Sequence, residues 1–318
     1  MKKHPYLTSM ALFPLFLAKM AMKKTKVGGQ AVIEGVMMRS KQKISWAVRR
    51  PSGETVIERF PFVSLVKQHR AFGAPIVRGA ISLYESLKIG YKALTRSAQI
   101  AAGEQREPSR TSQSSDNIAY AMSFAVALIV CLGLFMYLPM LVSQILFKNS
   151  VFAFNGCAGA IRIALFLFYL MGISLWKDIR RVFEYHGAEH KAIFAFEDGK
   201  ELTLENMRAY STLHPRCGTS FLLMVAIICI FVFSIIDVIV TLFAGPYPNV
   251  FLRLLVHIAL IPLVAGCSYE ALRFSDRFQR VWPVRFLVMP GLWLQKITTK
   301  KPNDEQLQIA SAALKASL

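Results

Sequence analysis

The chain has 318 residues, 54% of them hydrophobic, with a mean hydropathy of +0.41 and a formal net charge of +19. Soluble domains run nearer about 45–50% apolar, so the composition points to a membrane protein with Lys/Arg-rich cytoplasmic parts rather than an ordinary soluble domain. No stacking platform or nucleic-acid-binding motif accompanies the basic residues, so no nucleic-acid partner is expected. The five cysteines are odd in number and lack paired spacing, which argues against a disulfide framework.

In chain order, residues 1–26 form a basic segment. Its run "MALFPLFLAKMAM" is broken by Pro14 and Lys19 and followed by "KKTK", so it reads as an uncleaved, interfacial segment. Residues 27–117 are expected to hold a cytoplasmic β unit, an amphipathic helix and a polar linker. "AVIEGVMMR", "KISWAVRR" and "ETVIERF" are β-prone runs, with "RPSGE" as a turn between the last two. In a strand Gln30 and Glu34 would share a face. Residues 75–102 have helical period, with Ile76, Ala80, Leu83, Leu87, Tyr91, Leu94 and Ala98 on one face. Arg78, Lys88, Lys92 and Arg96 make this helix basic, which fits either an anionic membrane surface or packing against the β unit. "GEQREPSRTSQSSDN", residues 103–117, reads as linker.

Four apolar runs follow, near 118–147, 151–175, 219–244 and 251–272, each reaching the ~20 residues that cross a bilayer core. The loops between the first pair and between the second pair carry one basic residue each, Lys148 and Arg253. The 176–218 loop carries Lys177, Arg180, Arg181, Lys191, Lys200, Arg208 and Arg216, and the tail is also basic. The positive-inside rule therefore puts that loop and both termini in the cytoplasm. "WPVRFLVMPGLWLQKI", residues 282–297, is too short to span and is interrupted at Pro290-Gly291, so it reads as interfacial or re-entrant. A last helix is expected near 303–317. The fold class is thus an α-helical polytopic membrane protein of about four transmembrane helices, N-in and C-in, with a small α+β cytoplasmic domain. Its expected domains are transmembrane helices 1–2 over 118–175, the loop 176–218, transmembrane helices 3–4 over 219–272, and a cytoplasmic C-terminal segment over 273–318.

The 176–218 loop holds "EYHGAEHKAIFAFEDGK" and "HPRCGTS". His186 and His190, at i and i+4, share one helix face, the way a helix offers two nitrogens to one Zn²⁺. "HGAEH" is also H-x-x-E-H, in which two histidines bind zinc and the glutamate is a general base. His214 and Cys217 add an imidazole and a thiol in a short turn, and Cys217 alone among the cysteines lies in polar sequence. The ligand set is His186, His190, His214 and Cys217 for Zn²⁺ or another divalent transition metal, with Glu189 as the catalytic residue. A closed His₃Cys shell would be structural, whereas catalysis needs an open position. A solvated helix and a simple cap on the third span are the competing readings. Within the spans, Arg162 lies about 16 Å deep by a rise of about 1.5 Å per residue, and Asp237 is its expected partner. Glu270 is an additional ligand or proton acceptor, or pairs with Arg273 or Arg277.

"VGGQAVIEGVMMRS", "YHGAEHKAI", "HPRCGTSF" and "MPGLWLQKITTKKPNDEQLQIA" closely resemble the YqhQ-like bacterial membrane proteins, a family of unknown function described as predicted metal-dependent enzymes. The resemblance runs from about Val27 to the end. It implies a multi-pass inner-membrane protein and favours a metal. Its motif positions here are Gln30, Glu34, Arg39, His186, Glu189, His190, His214 and Cys217. Gln30, Glu34 and Arg39 then either meet the metal loop or stay on the surface. The functional expectation is a zinc-dependent hydrolase of unknown substrate at the cytoplasmic membrane surface. The alternatives are a non-catalytic membrane assembly or scaffold protein with a structural metal, and a small transporter. The lipid bilayer, its anionic headgroups and a second copy of the chain are the expected partners.

Overall fold

The computed structural model describes residues 27–103, 113–278 and 282–318. The expected interfacial segment 1–26 and the linker residues 104–112 lie outside them.

Four strands, β1 (Gly28–Val32), β2 (Gly35–Arg39), β3 (Lys43–Arg49) and β4 (Thr55–Pro61), form an antiparallel meander in the order β1-β2-β3-β4. The run "AVIEGVMMR" is not one strand. It folds back at Ile33-Glu34, with Val32 opposite Gly35, because Gly35 alone fits there: a Cβ would lie 2.2 Å from the Ala47 carbonyl oxygen. Glu34 consequently sits in the turn at φ 53 and does not share a strand face with Gln30. Strand alternation splits the sheet's side chains between two layers. Val36, Met38 and Ala47 pack on Tyr185, Ala188, Leu307, Ala310 and Leu314. Val32, Met37, Ile44, Trp46 and Val48 pack on Ala93 and Ile100.

A short helix α1 (Leu65–Gln68) and a 3₁₀ turn (Arg70–Gly73) lead into α2 (Val77–Ala101). The side of α2 that packs inward carries Gly79, Glu85, Gly90, Ala93, Ser97 and Ile100. Much of the apolar stripe legible in the sequence faces outward, as Leu87, Tyr91 and Leu94 are exposed.

Helix α3 (Gln113–Leu132) begins inside the expected linker and continues through a π turn (Gly133–Tyr137) into α4 (Leu138–Leu146). Then come α5 (Val151–Ile173), α6 (Lys177–Glu197), α7 (Leu204–Arg208) and α8 (Gly218–Ala244). Among the described residues three helical stretches are long and apolar enough to cross a membrane: Ala125–Leu146, Val151–Ile173 and Leu222–Ala244. The fourth expected span is broken. Helices α9 (Val250–Ala259) and α10 (Ile261–Arg277) meet at a 50° bend and make a fourth crossing if counted together. A proline in the first turn of α10, Pro262, has no N–H to continue the helix before it. Residues 282–297, by contrast, are not interrupted: α11 (Trp282–Thr298) is continuous with Pro290 inside it and packs along α8. The chain closes with α12 (Asp304–Ser317), started by a capping box of Asn303 and Gln306.

The expected Arg162–Asp237 pair does not form. Asp237, fully buried, accepts from Arg253 (Nε 2.9 Å), His257 (Nε2 3.0 Å) and Asn155 (Nδ2 2.8 Å). Arg253, which the sequence reading placed in a loop, lies on α9 one turn before His257. Arg162 instead donates its Nε to the Phe135 carbonyl in the π turn (3.2 Å), and its two terminal nitrogens have no hydrogen-bond partner among the described residues. Removing one member of a buried pair costs about 3–5 kcal/mol, since the other charge is left uncompensated. Asp237→Asn should therefore lower thermal stability in detergent by an amount near that range. Arg162→Met, which removes a charge with no carboxylate partner, should be neutral or stabilising in the same melt.

Candidate metal centre

Helix α6 supplies three of the site residues. His186 and His190 are one turn apart, with ring centroids separated by 4.4 Å. His186 Nδ1 lies 2.8 Å from the Thr298 carbonyl, and His190 Nδ1 bonds the Thr212 carbonyl. A carbonyl only accepts, so each ring carries its proton on Nδ1 and keeps the Nε2 lone pair free. Both lone pairs converge on Cys217: His186 Nε2 is 3.1 Å from its Sγ, and the three ligand atoms lie within 4.8 Å of one another. Two ligands on one tetrahedral zinc, with bonds of about 2.0–2.3 Å, stand roughly 3.6 Å apart. The Nδ1-to-carbonyl bonds are the usual outer-shell support of metal-bound histidine. On donor type, tautomer and spacing, these three residues fit a zinc-class ion.

Close approach to the 298–300 segment depends on Gly187. A Cβ there would sit 2.1 Å from the Lys300 carbonyl oxygen, and Lys300 N donates to Phe183 O (2.9 Å). The Thr212 segment is held by Lys191, whose ammonium donates to the carbonyls of Arg208 (2.9 Å) and Tyr210. Those carbonyls end α7, where a cation is favoured. Cys217 caps the N-terminus of α8, its Sγ accepting from Thr219 N (3.4 Å).

Burial makes the electrostatics uneven. Desolvation pushes the Glu189 carboxyl up to about 8, a rise opposed by His186 and reinforced by Cys217. Its Oε2 is buried with no hydrogen-bond partner among the described residues. Burial also lowers His190, favouring the neutral ring that a metal requires. For Cys217 burial raises the thiol, but its neighbours His190 and Thr219 outweigh it and the net shift is down. A cavity of about 190 Å³ opens on Glu189, His190 and Cys217, walled by Gly28 and Gly29 of β1 and by Arg216. Gly29 is required by this contact, since a Cβ would come within 2.8 Å of the Glu189 side chain.

His186, Glu189, His190 and Cys217 are therefore brought together as expected from sequence, while His214 is not part of the converging set. His214 packs beside His190 at 5.4 Å between centroids, but its nitrogens are taken. Nδ1 accepts from Arg216 N (3.2 Å), and Nε2 faces Glu197 Oε2 at 3.7 Å. Burial opposes ionisation of Glu197, but His214 and Arg216 outweigh it and hold the carboxyl below its ordinary range. Glu270 does not reach the site. It forms a two-point ion pair with Arg78 (2.6 and 2.5 Å), a partner on α2 rather than Arg273 or Arg277. Gln30 lies against Gly90. Glu34 is held by Arg181 (2.6 Å) and Tyr185 (3.4 Å), and Arg39 pairs with Glu85 (3.3 Å) over the Phe62 ring. These three build the sheet's contacts with α2 and α6. Sequence reading missed Gln295, fully buried, whose amide accepts from His214 N (2.7 Å) and donates to His214 O (2.8 Å). A glutamine in the apolar "GLWLQKI" was the available signal. Gly29 and the two backbone carbonyls gave none.

Fold and site together define a helical protein in which, among the described residues, three or four stretches are long and apolar enough to cross a membrane, with a small antiparallel sheet and a His₂Cys cluster beside a buried carboxyl. The chain belongs to the family described as Protein of unknown function (DUF1385), which matches residues 74–318. It is 32% identical over 294 residues to the "Uncharacterized protein YqhQ" of Bacillus subtilis (strain 168), an alignment covering 89% of each chain. No solved structure matches.

Substituting Gly187 tests the clamp. Gly187→Ala forces a methyl onto the Lys300 carbonyl and should cost about 1–3 kcal/mol by overpacking, read by thermal unfolding. Gly218→Ala, with nothing within 4 Å of the added Cβ, should leave stability unchanged or raised.

Proposed function

We propose that the protein is a zinc-dependent hydrolase of the bacterial inner membrane, acting at the cytoplasmic surface with both termini on that side. The carrying observation is a three-ligand cluster, His186, His190 and Cys217, with an unpartnered Glu189 oxygen nearby and a cavity opening on Glu189, His190 and Cys217. Because both His214 nitrogens are engaged elsewhere, the set leaves a coordination position for water or substrate, the mark of a catalytic rather than a structural site. A bound zinc would lower the pKa of water to about 7 and polarise a carbonyl. A cation held by the cluster would favour the ionised form of Glu189, which burial alone disfavours, and the carboxylate would then take the proton from the attacking water and return it to the leaving group. His186 and His190 hold their Nε2 atoms fixed through Thr298 and Thr212, and Gly29 leaves room for the Glu189 side chain.

Sidedness is supported by charge. The segment joining α5 to α8 is rich in Lys and Arg, whereas the connections at 147–149 and 245–249 carry Lys148 alone. Cys217 precedes the apolar stretch Leu222–Ala244 by five residues, roughly 7.5 Å of rise. The substrate is accordingly a molecule presented at the leaflet, a polypeptide or a lipid-linked compound.

Elemental analysis of the purified full chain should find about one transition-metal ion per chain in the wild type and none in the His186→Ala, His190→Ala double variant. Glu189→Gln should keep the metal while lowering kcat by about 10²–10⁴-fold, the worth of a general base. A wild type free of transition metal defeats the reading. Bound metal with a fully active Glu189→Gln variant would instead make the site structural and the protein a scaffold.

A further inference from the structure

We infer that the outward face of α2 lies on an anionic lipid leaflet, an inference that rests on the membrane part of the proposed function. A helix on a soluble domain turns its apolar stripe inward. Here the inward side carries two glycines, Ala93, Ser97 and the ion-paired Glu85 along with Ile100. The outward side carries Val77, Tyr84, Leu87, Tyr91 and Leu94, which share one face by helical period and are 43%, 56%, 64%, 56% and 43% exposed. Such a face needs an apolar surface to cover it.

Three observations name that surface. First, the start of α2 is fastened to a candidate membrane helix. Gly79 packs so closely on α10 that a Cβ would meet the Gly266 Cα at 2.8 Å, and Arg78 is forked to Glu270. Gly266 belongs to the stretch Ile261–Ser275, the second half of the bent crossing. Second, the exposed cation Lys88 lies on the same face, and the α1 and 3₁₀ segments packed against α2 add exposed Lys67 and Arg70. Third, two of the five side chains are tyrosines, whose apolar ring and polar tip suit the headgroup boundary. The opposite face of α2 carries the sheet through Ala93 and Ile100. A leaflet-bound α2 therefore sets the height of β1, and with it the Gly28-Gly29 wall of the cavity, above the membrane.

The test uses the full chain in phosphatidylcholine liposomes with and without phosphatidylglycerol. A photo-crosslinking p-benzoylphenylalanine replaces Leu87, Ser86 (exposed, on the far side of the helix) or Leu242 (76% exposed, in a membrane-length helix). Lipid adducts are expected from positions 87 and 242, with several-fold fewer from 86, and the yield at 87 should rise several-fold with the anionic lipid. Adducts from 242 but not from 87, equal yields at 86 and 87, crosslinks from 87 to a second copy, or indifference to phosphatidylglycerol would each overturn the inference. No adduct from 242 would overturn the membrane reading itself, and this inference with it.

Discussion

The arrangement hangs on two hydrogen bonds from imidazole to backbone: His186 to the Thr298 carbonyl and His190 to the Thr212 carbonyl. They decide which nitrogen of each ring is free, and both decisions point the same way. They also bring three distant stretches of chain, the middle of α6, the segment before α8 and the end of α11, into register. Neither carbonyl is held by chance. The first belongs to the segment that Gly187 admits, and the second lies in a strap secured by the Lys191 ammonium. Rings fixed in this way lose little freedom when a ligand arrives, which is what preorganisation means in energetic terms.

Placement follows from the same constraint. Cys217 is both a member of the cluster and the N-cap of α8, so the thiol is tied to the first turn of a membrane-length helix. Helix α6 follows α5 after three residues, 174–176. The cluster residues are thus distributed along one connection between apolar helices. Helix α11, packed along α8, delivers Thr298 and Gln295 to the same end. A shift between α8 and α11 would move the Cys217 sulfur relative to the carbonyl that orients His186.

What was legible in the sequence followed periodicity and residue chemistry. Apolar length marked the spans, β-prone composition marked the β runs, and i, i+4 spacing placed His186 with His190. Cys217 stood out as the single cysteine in polar sequence. The failures share a cause, which is partner choice at long range. Asp237 was matched with Arg162 by depth alone, yet Arg253 and His257, one turn apart on α9, both reach it. Glu270 was offered to the metal because it is an acid near a helix end, while a cation on a separate element, Arg78, claims it. The hairpin at Ile33-Glu34 was hidden because "AVIEGVMMR" lacks the usual turn residues, and its positive φ falls on a glutamate instead of a glycine. Holding that glutamate are Arg181 and Tyr185 from α6, contacts that offset a strained backbone and that local propensity does not reveal.

His214 is the sharpest case, because its residue type and spacing were right for a ligand and its environment withholds it. Gln295 grips its backbone on both sides, Arg216 donates to Nδ1, and Glu197 faces Nε2. Glu197 in turn is ion-paired to Arg216. Turning His214 to a metal would break its contacts with Arg216 N and with the half-buried Glu197 carboxylate, which Arg216 would still pair. The network therefore acts against closure of the cluster into a four-residue shell. It keeps the His214 imidazole tilted beside His190, adding bulk and polarity outside the converging set. The Glu189 carboxyl, the glycine wall and the cavity lie beside His190 and Cys217. On the proposed reading, an open coordination position would follow from the residues surrounding a histidine rather than from the count of histidines.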